Sequence, residues 1–205
     1  MIWLIEISII LVSAILVVHA RFFYTLSFVL VFWISGFVLG ILREYALAGI
    51  MDIYDYGDFH LTLFGIPLIF TIFWTNMAYI GLIWANNFLK RDYLKVKPLD
   101  YHLPLIFMTM VMISFFFEAL LSQYQLVNWK LDSSSVLWGN TPLLAPFAYG
   151  WTAVLFLKSL KLLSKEPQQH WRILVLKFSL AQPLVVLILA GLLLLSNLAI
   201  ILIFS

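Results

Sequence analysis

Six long apolar stretches constrain this chain more than any other feature. They cover residues 2–19, 22–42, 63–86, 103–121, 142–163 and 173–203. Each is near or above the roughly 20 residues that cross a bilayer as a helix. In hydrocarbon, backbone N–H and C=O groups must be satisfied internally, which leaves helices or a closed barrel. Apolar runs this long, without two-residue alternation, read as helices. The chain is 64% hydrophobic and 11% charged, against about 25% charged in a soluble domain. The sequence therefore predicts an all-α integral membrane protein: six transmembrane helices in a single polytopic domain over residues 1–205. The last stretch contains Pro183 and reads as one tilted or kinked span, because two spans need about 40 residues. The first lacks a basic n-region and a small-residue cleavage site, so it reads as a retained helix rather than a signal peptide.

Lys and Arg set the expected orientation. Ten of the twelve lie in or beside the first, third and fifth connections: Arg21; Lys90, Arg91, Lys95 and Lys97; Lys158, Lys161, Lys165, Arg172 and Lys177. The second and fourth connections hold Arg43 and Lys130. The odd connections are thus expected in the cytoplasm and both termini outside, in a multi-pass protein of the cell membrane.

Glu44 and Glu118 stand next to or inside apolar runs. An ionisable group in the bilayer core costs roughly 2.5–3.5 kcal/mol on insertion scales and marks a functional site by default. The two acids also occupy matching places in an internal repeat. Glu44 is followed by Tyr54, then Pro67, then Trp74; Glu118 is followed by Trp129, then Pro142, then Trp151. With the expected topology the repeat is parallel. Spans two and three form one copy and spans four and five the other, related by an axis along the membrane normal. The carboxylates would then face each other at similar depth.

Residues four apart share a helix face. Gly40 and Ala48 flank Glu44 in this way, and Ser114 and Ser122 flank Glu118. Small residues there leave room for a ligand or allow close helix packing, and both readings stand. Residues 49–62 and 124–138 mix aromatics with turn formers, as lids or as interfacial anchors. Asp52, Asp55 and Asp58 are spaced by three but lack the adjacent acidic pairs of a Mg-diphosphate site, and read as a solvated turn. His19, His60, His102 and His170 form no ligand pattern, and there is no cysteine. No metal, cofactor or nucleic acid is expected; the expected partners are the bilayer and a lipophilic substrate.

A carboxyl group in an apolar pocket favours its neutral form, and two facing carboxyls do not easily ionise together. A protonated acid among aromatics suits protonation of an isoprenoid double bond. Aromatic faces stabilise the resulting cation, which water or an internal alkene captures. Arg43 offers a competing role, pairing with either acid.

The stretch Glu44…Gly49…Tyr54-Asp55-Tyr56-Gly57…Leu63-Phe64-Gly65-Ile66-Pro67…Trp74…Tyr79 resembles the first signature of the membrane carotenoid 1,2-hydratases of the bisanhydrobacterioruberin hydratase type. Glu118, Trp129, Gly139…Pro142 and Phe147…Gly150-Trp151 are similar to that family's later signature, in which the second acid is usually Asp. Pro146 stands where the family has Asn, and the Gly-x-Pro spacing is loosened at Asn140-Thr141-Pro142. The resemblance covers about residues 36–155. It implies an enzyme that adds water to a terminal double bond of a carotenoid or related isoprenoid. Glu44 and Glu118 are expected as acid and base, and Tyr54, Tyr56, Trp74, Trp129, Trp151 and Asn140 as substrate-binding residues. A lycopene-cyclase-like terpene cyclase uses the same acid step without water capture. A non-enzymatic lipid-binding or assembly subunit, its acids paired with Arg43 and Lys130, is the rival of another class.

Overall fold

The structure is a computed structural model and describes residues 2–95, 101–130, 137–138, 141–163 and 170–204. Six long helices carry the chain: α1 (Ile2–Phe23), α2 (Leu26–Glu44), α3 (Leu68–Leu89), α4 (His102–Gln123), α5 (Leu144–Leu163) and α6 (Trp171–Phe204). All but α5 are long and apolar enough to cross a membrane. The 20-residue α5 is diluted by Pro146, Lys158 and Lys161. Large apolar side chains lie open on the bundle's outside, among them Leu4, Ile15, Phe22, Phe116, Leu187 and Leu202. A surface of this kind suits lipid rather than water, and the chain is a membrane-spanning helical protein.

The long sixth stretch is one continuous helix through Pro183. Beside the proline, buried Gln182 donates its side-chain amide to Phe178 O at 3.1 Å. α2 packs against α3 and α6, α5 against α4 and α6, and α1 against α3. The main core, including Phe32, Leu39, Trp74, Tyr79, Met110 and Phe156, fills the middle of the bundle.

Short strands interrupt the all-helical expectation. β1 (Tyr54–Tyr56), β2 (Thr62–Leu63) and β3 (Ile66–Pro67) lie between α2 and α3. β4 (Val127–Trp129), β5 (Leu137–Trp138) and β6 (Thr141–Pro142) lie between α4 and α5. β2 and β3 form a hairpin, and so do β5 and β6. The hairpin explains why α3 starts at Leu68 rather than at residue 63. Phe64 and Gly65 both have positive φ, 53° and 77°, the geometry a two-residue turn between antiparallel strands demands. Pro67 then has no N–H to lose at the helix entrance.

A second, smaller core lies beneath these strands, built on Leu47, Tyr54, Ile69, Phe70, Val127, Ala148 and Leu189. It surrounds both glutamates' neighbourhood.

Candidate active site

Glu44 is the last α-helical residue of α2. The chain then widens into a π-helical turn, Tyr45–Ile50, in which Met51 N–H reaches Ala46 O at 2.9 Å. Such turns inside helices recur at functional sites. Asp52 follows in the left-handed region, φ 53°, and turns β1 back over Glu44. The second carboxylate is handled in a similar way. α4 ends with Leu126 N–H bonded to Leu121 O at 2.9 Å and Gln125 left-handed at φ 55°, a helix-terminating motif that satisfies orphan carbonyls. β4 follows.

β1 and β4 pair antiparallel, Tyr54 opposite Trp129, Asp55 opposite Asn128 and Tyr56 opposite Val127. Alternate residues of a strand point to opposite faces. Tyr54, Tyr56, Val127 and Trp129 accordingly face the bundle, while Asp55 and Asn128 are exposed. Gly57 N–H extends the pairing to Leu126 O at 3.1 Å. A Cβ on Gly57 would sit 2.9 Å from Gln125 O, so only glycine lets the backbones approach there. Lys130 clasps the same edge from solvent, its ammonium 2.5 Å from Asp52 and 3.0 Å from Asp55. Those acceptors hold the Lys130 pKa above its ordinary value. The solvated-turn reading of Asp52 and Asp55 thus gains a structural role, while exposed Asp58 keeps the plain one.

Under this lid lies a small cavity of about 20 Å³. Glu44, Tyr54, Tyr56 and Phe70 line it from one half of the chain, Glu118, Val127, Trp129 and Tyr149 from the other. Both glutamates are about 4% exposed. The volume is that of a single water site.

The two carboxyls are not equivalent. Glu44 Oε1 accepts from Arg43 Nη1 at 2.5 Å. Its Oε2 accepts from the Tyr54 hydroxyl and, at 2.6 Å, from the Tyr56 hydroxyl. Three donors converging on two oxygens are the work of an ionised carboxylate. Glu118 accepts from the Tyr149 hydroxyl, and its Oε2 has no protein partner; nor has Trp129 Nε1. The Arg43 guanidinium, itself buried, lies 4.8 Å from the Tyr149 ring centre and acts electrostatically on both acids. Adjacent helical residues point apart, yet Arg43 reaches Glu44 because its long side chain bends back where both are buried. Burial, then the Glu44 charge, raises the pKa of the Tyr54 and Tyr56 hydroxyls, so both remain neutral donors.

The structure thus brings together Glu44, Glu118, Tyr54, Tyr56 and Trp129. It does not bring Trp74 or Trp151 to the cavity. Trp74 is buried in the main core, edge-on to Phe156 at 5.3 Å. Trp151 tilts against Phe107 at 4.8 Å and donates to Ser196 Oγ at 3.0 Å. Neither lines the cavity; Trp74 packs in the main core and Trp151 against the second one. Asn140 and Gly139 lie outside the described residues. The small residues beside the acids divide. A Cβ on Gly40 would approach Thr71 within 2.8 Å, and Ser114 Oγ donates to Val111 O and Pro146 O, so these two serve close packing. Ser122 Oγ bonds Thr141 Oγ1 at 2.9 Å and steadies the second hairpin. Ala48 lines an outer cavity beneath β1.

Two contributors were not foreseen. Tyr149 places its hydroxyl on the Glu118 carboxyl, and a polar aromatic in the apolar run before Gly150-Trp151 was its signal. Glu6 is 1% exposed and accepts from His60 N–H at 3.0 Å, Leu61 N–H at 3.3 Å and the His60 ring at 3.2 Å. An acid in the first apolar run announced it. The other histidines bond separate partners, His19 with the Tyr79 hydroxyl and His102 with Arg91 O. No cluster of metal-ligating residues occurs among the described residues.

No protein-family model, no curated protein and no solved structure matches the chain.

Proposed function

We propose that this protein is a membrane enzyme that protonates and hydrates a terminal double bond of a carotenoid or related isoprenoid. One observation carries the reading: Glu44 and Glu118 line one water-sized cavity, and the buried guanidinium of Arg43 is ion-paired with Glu44. A second, uncompensated carboxylate beside that pair would cost several kcal/mol of desolvation. Glu118 is therefore the group that rests protonated and donates. Its proton adds to the CH carbon of the terminal double bond, a C–H bond forms, the π bond breaks, and a tertiary cation remains on the dimethyl-bearing carbon. The faces of Tyr54, Tyr56 and Trp129, with the fixed Glu44 charge, stabilise that cation. Water adds to it and returns a proton to Glu118. The reaction is redox-neutral.

The same reading places six spans in the membrane, with both termini and the lid on the outer face, as the distribution of Lys and Arg supports. It also treats residues 26–89 and 102–163 as parallel copies. Support comes from left-handed Asp52 and Gln125, each two residues before a strand, and from hairpins that end at Pro67 and Pro142.

Expression in a lycopene-producing bacterium, with mass analysis of the pigments, tests the activity. A mass gain of one water is expected. Altered absorbance without a mass change means cyclisation instead, and unchanged pigments sink the enzyme reading for this substrate.

A further inference from the structure

Beside the carboxylate cavity lies a larger one of about 390 Å³, between α1, α3 and α4. This is within the range of about 300–1,000 Å³ typical of small-molecule sites. Its walls are almost wholly apolar, with Leu4, Ile9, Phe73, Phe117 and Leu121 among them. Phe70 belongs to the walls of both cavities. No other described residue lines both, so the groove ends at Phe70, beside the cavity in which Glu118 has its unpartnered oxygen.

One wall of the groove is tied down. Phe59 lines it and packs edge-on against Phe70 at 5.1 Å. The next two residues, His60 and Leu61, are tied to buried Glu6 of α1 by their backbone N–H groups, and Trp3 stacks on the His60 ring at 4.2 Å. An acid inside an apolar helix is expensive. Here it fixes the loop end that closes the groove, which a gap merely filled by lipid would not need.

We propose that this groove binds the long apolar chain of an isoprenoid substrate, entering sideways from the bilayer between α1 and α4, with its terminal double bond passing Phe70 toward Glu118. The proposal rests on the hydratase reading for the end of the chain that reacts. An acyl tail of a bilayer lipid shares the chemistry of the chain, and the test separates the two sources.

The full chain, carrying Glu118→Gln to stop turnover, is placed in phosphatidylcholine nanodiscs with a diazirine-bearing geranylgeraniol. After irradiation, adducts are mapped by mass spectrometry. Labelling is expected on Phe73, Phe117 and Leu121, well above that on lipid-facing Leu187, and excess lycopene should displace it although phosphatidylcholine is already present in excess. Leu121→Trp, or Ser8→Trp from the opposite wall should the first fold poorly, should bring groove labelling down to the Leu187 level. Equal labelling of groove and Leu187, or groove labelling that lycopene does not displace, overturns the proposal and leaves an acyl-filled gap. Labelled groove residues in a protein whose wild type makes no hydrated pigment would refute the chemistry alone. Hydration without groove labelling would refute the groove alone.

Discussion

Tyr54 and Trp129 stand opposite each other in the β1–β4 register, their rings edge-to-face at 4.8 Å. With the rest of the β1–β4 pairing, this contact joins the two halves of the chain above the glutamates. The pleat of the pair sends Asp55 and Asn128 outward and the aromatics inward. A two-stranded ribbon alone is marginal in water; here the helix ends beneath it and the Tyr54 and Tyr56 bonds to Glu44 hold it down.

The inequality of the two acids gives the first prediction. Glu118→Gln removes a donor proton but leaves the Arg43–Glu44 pair intact, so the protein should reach the membrane in normal yield with activity lowered about 10²–10⁴-fold. Glu44→Gln leaves buried Arg43 without its counter-ion, and removing one partner of a buried pair costs about 3–5 kcal/mol. Its yield and thermal stability should both fall. Pigment analysis and detergent-extracted yield, measured on the same samples, separate the two outcomes; identical stability in the two variants would contradict the asymmetry.

Tyr56→Phe deletes a hydroxyl that donates to Glu44 at 2.6 Å. A hydrogen bond to a charged group is worth about 1.5–3 kcal/mol, and a loss of that order is expected in denaturant unfolding. Lys130→Ala breaks only an exposed, salt-screened clasp, and its effect on unfolding should be smaller than that of Tyr56→Phe. If the Lys130 change proves the larger, the lid is held from its solvent side.

Six apolar stretches, their approximate ends and the meeting of Glu44 with Glu118 could be read from sequence because lipid and helical spacing impose simple rules. The strands could not. Two or three residues of β1 or β2 carry no periodicity, and their pairing partner lies in a distant loop. Trp74 and Trp151 were misplaced because order along the chain does not determine which side of a helix meets the cavity. Arg43 was ambiguous for a related reason: whether a long side chain folds back onto its neighbour depends on what buries it.

Alkaline pH should loosen the lid. The hydroxyl pKa values of Tyr54 and Tyr56 are raised in the folded protein by burial and by the Glu44 charge, whereas unfolded tyrosine titrates near pH 10. Above about pH 10 the unfolded chain sheds protons that the folded one keeps, so stability falls with rising pH. Below that value the contribution is fully present. The thermal midpoint should therefore decline above about pH 10, and less steeply in a Tyr54→Phe/Tyr56→Phe double variant. Equal slopes in the two proteins would show that these hydroxyls are not held protonated by Glu44.

The Glu6 tie should be visible as local order. Its carboxylate accepts two backbone N–H groups, from His60 and Leu61, and neither donor has another assigned partner among the described contacts. Glu6→Ala frees both, and Glu6→Gln keeps one carbonyl oxygen for them while removing the charge. Hydrogen exchange at residues 60 and 61 should accelerate strongly in the alanine variant and less in the glutamine variant, with α3 and α4 unchanged. Because Phe59 lies between this tie and Phe70, activity should fall in the same order as the loop loosens, while the Glu44 and Glu118 machinery stays intact. Unchanged exchange at residues 60 and 61 in Glu6→Ala would mean that the loop holds its shape without α1, and Glu6 would then need another role.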